Sequence, residues 1–273
     1  MTPFQTARTM AIRFAAITAV VCCGQTTFAQ QQAPRQYSRD SCVKVRDGKA
    51  AEYAAFLRDV TTKLNKVRVE AGDMASFVIA RAVEPAGRSA RCDYHMVAGY
   101  EGFPPEPSGP EKTAADMKKA GITMTREQMF AKRDELSYLV STDVWAWDNR
   151  VGTIQKNGYG RLNFYKVKNG SMGDWRRYET TGWKPLAEAL SKEKNTSWSS
   201  AVLSMPGGTA LPYNALTVDG FPDWATVGAG VPVRQMWNKV HPNSDMTAHT
   251  ERVNSVADRP RIDWVRFVEV IRK

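Results

Sequence analysis

Val45-Arg46-Asp47-Gly48, with Glu52, Tyr53 and Phe56 behind it, returns as Val167-Lys168-Asn169-Gly170 with Asp174, Trp175 and Tyr178, an offset of 122 residues. Each stretch reads as a strand end, a tight turn using glycine, and a helix opening with an acidic residue and an aromatic pair. Further out, Val97-Ala98-Gly99-Tyr100 pairs with Val218-Asp219-Gly220-Phe221 at an offset of 121. Phe77 matches Trp198, and Glu84-Pro85 with Gly87 matches Met205-Pro206 with Gly208. Toward the ends the spacing shrinks slightly, which sets Trp145 against Trp264. Anchors in one order at nearly constant spacing mark an internal duplication.

The first copy predicts a strand over Cys42 to Val45, then a helix from Lys49 with Tyr53, Phe56, Leu57, Val60, Leu64 and Val67 on one face. Gly72 ends that helix. Strands near Ser76 to Val83 and Cys92 to Tyr100 form a hairpin around Pro85 and Gly87. Pro104, Pro105, Pro107 and Pro110 mark an exposed loop. Thr125 with Gln128 makes a capping box for a second helix, with Met129, Leu136 and Val140 on one face. A last strand carries Val144 to Trp147. The second copy repeats this β-α-β-β-α-β order from Arg161 to Ile271, with Pro185 expected to break or kink its first helix after Trp183.

That order is a ferredoxin-like unit, with helices on one face of a four-stranded sheet and the other face in need of cover. The predicted class is therefore α+β, a tandem duplication whose units bury their open faces against each other as an intrachain pseudo-dimer. The strand–Gly turn–Tyr/Trp helix opening and the Gly-aromatic end of the third strand resemble the dimeric α+β barrel superfamily, including antibiotic-biosynthesis monooxygenase-like and NIPSNAP-like domains. The resemblance spans most of the chain. It implies a menu of functions, among them cofactor-independent monooxygenases, haem-degrading enzymes and isomerases. The Gly-x-x-Asp-Gly signature of the haem peroxidase branch does not occur in the sequence.

At 42% hydrophobic and 24% charged residues the composition is that of a globular protein. Arg8 and Arg13 precede an apolar run from Phe14 to about Gly24, and Thr27-Phe28-Ala29 places small residues before Gln30. This is the layout of a secretory leader over residues 1–29, cut after Ala29, which predicts a periplasmic or secreted protein. The apolar run is shorter than the roughly 20 residues of a membrane span, so no integral membrane segment is expected. Val21 and Cys22 precede Cys22 and Cys23, where lipidation needs a small residue. Beyond the leader we expect a flexible segment over 30–40, a first unit over 41–150, a linker over 151–160 and a second unit over 161–273.

Cys42 and Cys92 remain after leader removal; they are read either as a disulfide or as two separate strand cysteines. Opening two antiparallel neighbouring strands would put them at opposite ends. The net charge of +10 falls to +8 without Arg8 and Arg13, and the basic residues are scattered. Export and that scatter argue against nucleic acid as a partner. The separated faces of two fused units leave a monomer or a homodimer open.

The chain holds three histidines. His95 lies on the third strand where the other copy has Leu216, which makes it either a pocket base or a satisfied core histidine. His241, Asp245 and His249 have metal-type spacing, but Pro242-Asn243-Ser244 reads as a turn, and capping plus packing accounts for them, so no metal is expected. Tyr94, Trp145, Trp147, Tyr165, Trp198 and Trp264 sit on strands, as walls of an apolar pocket between sheet and helices or as sheet packing. The leading expectation is an exported protein that binds an apolar or aromatic small molecule, with no resident cofactor and with oxygenase- or isomerase-like chemistry within reach of His95. The alternative is a non-enzymatic binding protein of the cell envelope.

Overall fold

The repeated turn glycines do the same work in both copies: Gly48 and Gly170 take φ of +77° and +81°, a region that side chains avoid. The computed structural model describes residues 35–207 and 211–273. The leader, its cleavage point, Cys22, Cys23 and the anchor Gly208 lie outside the described residues.

In the first unit β1 (Gln36–Val45) leads through Gly48 into α1 (Ala50–Phe56), a π-helical turn (Leu57–Thr62) and α2 (Lys63–Ala71). Gly72 closes this helix at φ +86°, donating to Val69. β2 (Ser76–Glu84) and β3 (Tyr94–Glu101) follow, then α3 (Pro110–Lys119), α4 (Arg126–Leu136) and β4 (Ser137–Val151). The capping box is present: the Gln128 amide donates to Thr125 Oγ1 at 3.2 Å and the Thr125 amide to Gln128 Oε1 at 2.8 Å.

The second unit repeats the plan with β5 (Tyr159–Val167), α5 (Met172–Tyr178), a π-helical turn (Glu179–Trp183) and α6 (Lys184–Lys194). β6 (Ser197–Met205), β7 (Ala215–Phe221), α7 (Trp224–Ala229), α8 (Val233–Val240), α9 (Met246–Val256) and β8 (Ala257–Arg272) complete it.

The strands close into one antiparallel barrel in the order β1-β3-β2-β8-β5-β7-β6-β4. Each unit keeps its own four strands together, and the β2–β8 and β4–β6 pairings join the units. Closure removes the unpaired edges that two separate sheets would leave. The barrel lumen is packed with Trp145, Phe164, Leu216, Val265 and Phe267. Outside it, Tyr53, Leu57, Phe77, Ile79 and Leu136 bind the first helical layer, and Trp175, Val202, Ala215 and Val253 the second. Gly99 and Gly220 recur because a Cβ there would meet Ser76 Oγ at 2.4 Å and Ser197 Oγ at 2.1 Å across the β2–β3 and β6–β7 pairs.

Several expectations change. β1 starts at Gln36, inside the stretch 30–40 expected to be flexible. Cys42 therefore lies near the end of its strand, beside the start of the antiparallel β3, and forms a disulfide with Cys92 at a Cα separation of 5.2 Å. Val140 is not on a helix face: α4 stops at Leu136 and the β-branched run that follows belongs to β4. The proline loop runs into a helix, with Pro110 at its first turn, where a missing N–H costs nothing. Pro185 breaks nothing. The preceding π turn, in which the Lys184 amide reaches Glu179, carries the helix past Trp183, and Pro185 falls in the first turn of α6. The connection between units narrows to residues 152–158.

Register also corrects the pairing of Trp145 with Trp264. Trp145 stands opposite Ser38 and Val265 opposite Gly160, so the counterpart of Trp145 is Val265. A slip of one residue moves a side chain to the other face of a sheet. Trp145 accordingly lies in the lumen, whereas Trp264 packs outside with Phe221 and Trp224.

Candidate functional site

The sheet has two faces, and the candidate residues divide between them. His95, Trp145 and Trp147 point into the lumen around a small cavity of about 90 Å³. There His95 is 3% exposed, with Nδ1 2.9 Å from Asp40 Oδ2 and Nε2 3.8 Å from Asp263 Oδ2. Burial alone would push the imidazolium toward neutrality, but Asp40 and Asp263 outweigh it and raise His95 to about 9. At neutral pH it is a cation held between carboxylates and has no lone pair with which to take up a proton. Asp263 is also held by Arg261, whose Nε donates to Oδ1 at 2.8 Å. Asp143 faces Asp40 across the β1–β4 pair and accepts from Tyr213 Oη at 2.8 Å. Trp147 donates to Ser38 Oγ at 3.1 Å. This is a buried charge network with little room.

The larger opening in the second unit lies on the opposite face, between sheet and helices. Its volume is about 350 Å³ and its apolar wall includes Trp183, Leu186, Leu190 and Trp198. Polar side chains enter from the sheet. Arg161 Nε donates to Asp219 Oδ2 at 2.9 Å, and Asn163 Nδ2 donates to Asp219 at 2.8 Å and to Thr217 Oγ1 at 3.1 Å. Asn163 Oδ1 is buried without a hydrogen-bond partner.

Glu179 enters from the π turn. It is 2% exposed and lines this cavity, and its carboxyl forms no hydrogen bond or ion pair with any described residue. Burial, with Asp219 nearby, raises its pKa well above the usual carboxyl value and so favours the protonated acid. Its counterpart in the first unit is Leu57, also buried. A buried unpaired carboxyl in place of a core leucine costs stability and gives the core nothing, which makes it a candidate functional group. The π turn is what sets Glu179 against the sheet, and such turns recur at functional sites.

The remaining predicted residues fall as follows. Tyr165 and Trp198 line the cavity of the second unit, and burial raises the Tyr165 phenol to about 12. Tyr94 is one position from His95 and so faces the other way, edge-on to Tyr53 under the first helical layer. Trp264 lies under the Arg161 guanidinium at 5.7 Å. Asp245 caps α9 through the amides of Thr247 and Ala248, which leaves His241 outside the helix. His249 packs among Tyr178, Trp183 and Trp237, and no metal-type cluster occurs among the described residues. Glu179, Asp40 and Asp263 escaped sequence reading. The usable signal was the repeat itself: Glu179 stands against Leu57, and Asp40 against Leu162.

No family model and no curated protein matches the sequence. Solved structures do. A protein from Fusobacterium nucleatum subsp. nucleatum assigned as a monooxygenase is 10% identical with a TM-score of 0.53, covering 89% of this chain and 96% of its own. Another from Lactobacillus acidophilus NCFM, likewise assigned, is 8% identical with a TM-score of 0.51, covering 88% and 97%. The fold is a dimeric α+β barrel made by one chain. A heme-binding protein from Thermus thermophilus is more distant, at 9% identity, a TM-score of 0.42 and coverage of 86% and 92%. Haem iron is held by histidine, cysteine, methionine or tyrosine. The second-unit cavity is lined by no histidine or cysteine; its Tyr165 is kept protonated by burial and its remaining donor is the Met246 thioether. His241 and His249 open on a separate cleft with Arg177 and Trp237. The lining of the second-unit cavity does not fit a haem.

Proposed function

We propose that this chain is an exported small-molecule-binding protein whose working site is the cavity of the second unit. Its ligand is apolar or aromatic with a polar group that reaches Glu179. The unpartnered buried carboxyl of Glu179 carries this reading. When protonated, the form that burial favours, it can donate its proton to a bound carbonyl or enol oxygen, and once ionised it can withdraw one from an adjacent carbon. That shuttle is the chemistry of a cofactor-independent isomerase, and the same proton abstraction opens an oxygenase reaction. Asn163 Oδ1 supplies an acceptor without a partner beside it. Export is supported by the layout of residues 1–29 and by the Cys42–Cys92 disulfide, a bond that persists in oxidising compartments.

The test is native mass spectrometry of the full chain exported by a bacterial host, beside Glu179→Leu, which carries the first unit's residue. Wild type should retain a ligand that departs on denaturation. Glu179→Leu should be bare, and more stable by about 1–3 kcal/mol because a desolvated carboxyl is gone. Equal bound mass in both proteins, or a bare wild type whose variant gains no stability, would sink this reading.

A further inference from the structure

Arg39 and Arg161 occupy the same place in the two units: Arg39 faces Ala98 across β1–β3, and Arg161 faces Asp219 across β5–β7. Both line a cavity between sheet and helices. In the second unit Asp219 neutralises the arginine at 2.9 Å. In the first the acid is Ala98, and Arg39 meets no carboxylate among the described residues. Its Nη2 donates to the Pro105 carbonyl at 2.8 Å and its guanidinium lies 5.9 Å from the Tyr100 ring centroid.

Two further exchanges push the same way. Leu57 replaces Glu179, so the first-unit cavity lacks the buried acid. Arg68 replaces Leu190, adding a second guanidinium 3.3 Å from Asp116, a carboxylate that also accepts from Lys112 at 3.1 Å. Of the other cations on the wall, Lys112 is shared between Asp116 and Asp73, which also lines the cavity, and Arg133 is tied to Asp134 at 2.8 Å. The cavity is the larger of the two, about 700 Å³, with Tyr53, Phe56, Phe77, Met96 and Met129 on its apolar side. Its lip is the proline-rich segment Pro105 to Ser108, whose acid, Glu106, is exposed.

We propose that the first-unit cavity is a second ligand site, for an amphipathic anion whose carboxylate or sulfonate sits on Arg39 and whose apolar body lies against the aromatic and methionine wall. An arginine fork half-withdrawn from water beside an apolar chamber gains most from an anion that brings both parts. This cavity is separate from that of the second unit, and the absence of a carboxylate partner for Arg39 among the described residues does not depend on Glu179.

The experiment is fluorescence titration of the full exported chain with anilinonaphthalene sulfonate, an apolar anion, and with phenylnaphthylamine, its neutral relative. Arg39→Gln should weaken the sulfonate about tenfold or more, the range of one charge-assisted hydrogen bond, and leave the neutral probe unchanged. Ala98→Asp copies the Arg161–Asp219 pair into the first unit, keeps Arg39 in place, and should weaken the sulfonate equally. Glu179→Gln should leave it unaltered. Displacement by dodecanoate marks an aliphatic body and by naphthoate an aromatic one. Wild-type sulfonate affinity in both Arg39→Gln and Ala98→Asp, or displacement by dodecanol as strong as by dodecanoate, would overturn the site. Near-ultraviolet circular dichroism of each variant separates lost binding from lost fold.

Discussion

His95 shows how a residue's neighbours decide its work. With Asp40 at 2.9 Å and Asp263 at 3.8 Å it is a buried cation, and removing it alone strands carboxylates in the lumen. His95→Leu should cost about 3–5 kcal/mol. The second unit, however, fills the two positions with Leu162 and Leu216. Asp40→Leu/His95→Leu together should therefore recover most of that loss, since a buried ion pair replaced by apolar side chains is often neutral. Denaturant melts of the three proteins decide it; a double variant as weak as the single one would speak against the argument. The pH dependence has a definite sign. The folded pKa of about 9 lies above the ordinary 6.5, so this stabilisation is complete below pH 6.5 and lost as pH rises through 9. It amounts to on the order of 3 kcal/mol and should vanish in the double variant.

At the scale of elements, the two π turns are the same device with different fillings. Val60 fills the space at one, against Met117 and Met129. At the other the position is Gly182, and the His249 ring occupies the room: a Cβ on Gly182 would meet His249 Cε1 at 2.2 Å. His249 is 6% exposed and boxed in by Trp183, Trp237 and Tyr178, so it cannot swing aside cheaply. Gly182→Ala should gain about 1 kcal/mol of helix propensity and lose more to overpacking, for a net loss of about 1–2 kcal/mol by thermal melting. A stabilised variant would mean that the ring has slack. The change also moves α5–α6 against the sheet, so the position of Glu179 should suffer with it.

For the whole molecule, the closed barrel leaves the disulfide as a clamp on the first unit alone. It bridges a sequence separation of 50 residues, between the end of β1 and the entry to β3. Loop-closure entropy for that length gives about 4 kcal/mol as a ceiling, and about 2–4 kcal/mol is the expected loss for Cys42→Ala/Cys92→Ala in urea melts. Intact mass under non-reducing conditions should be two hydrogens lighter than after reduction. Two free thiols in the exported protein would remove both the clamp and its support for an oxidising compartment.

Much of the architecture was legible because duplication repeats local constraints: turn glycines with positive φ, a strand glycine under a serine hydroxyl, and aromatic helix faces at matched spacing. These are short-range demands on individual residues, and they order the elements as β-α-β-β-α-β twice. The sequence by itself thus determined the units, their order and the need to cover one face of each sheet. Tertiary structure decided which face each side chain takes, because strand alternation turns a single-residue slip into a change of side. That is why Trp145 and Trp264 parted, and why Tyr94 turned away from His95. It also decided which acids are buried: Glu179 looks like any helical glutamate until the π turn and the sheet remove its water, and Arg39 looks like any surface arginine until Ala98 proves to stand where its partner acid would be. Desolvation and pairing are properties of the surroundings of a side chain, and those surroundings are assembled from segments far apart in the chain.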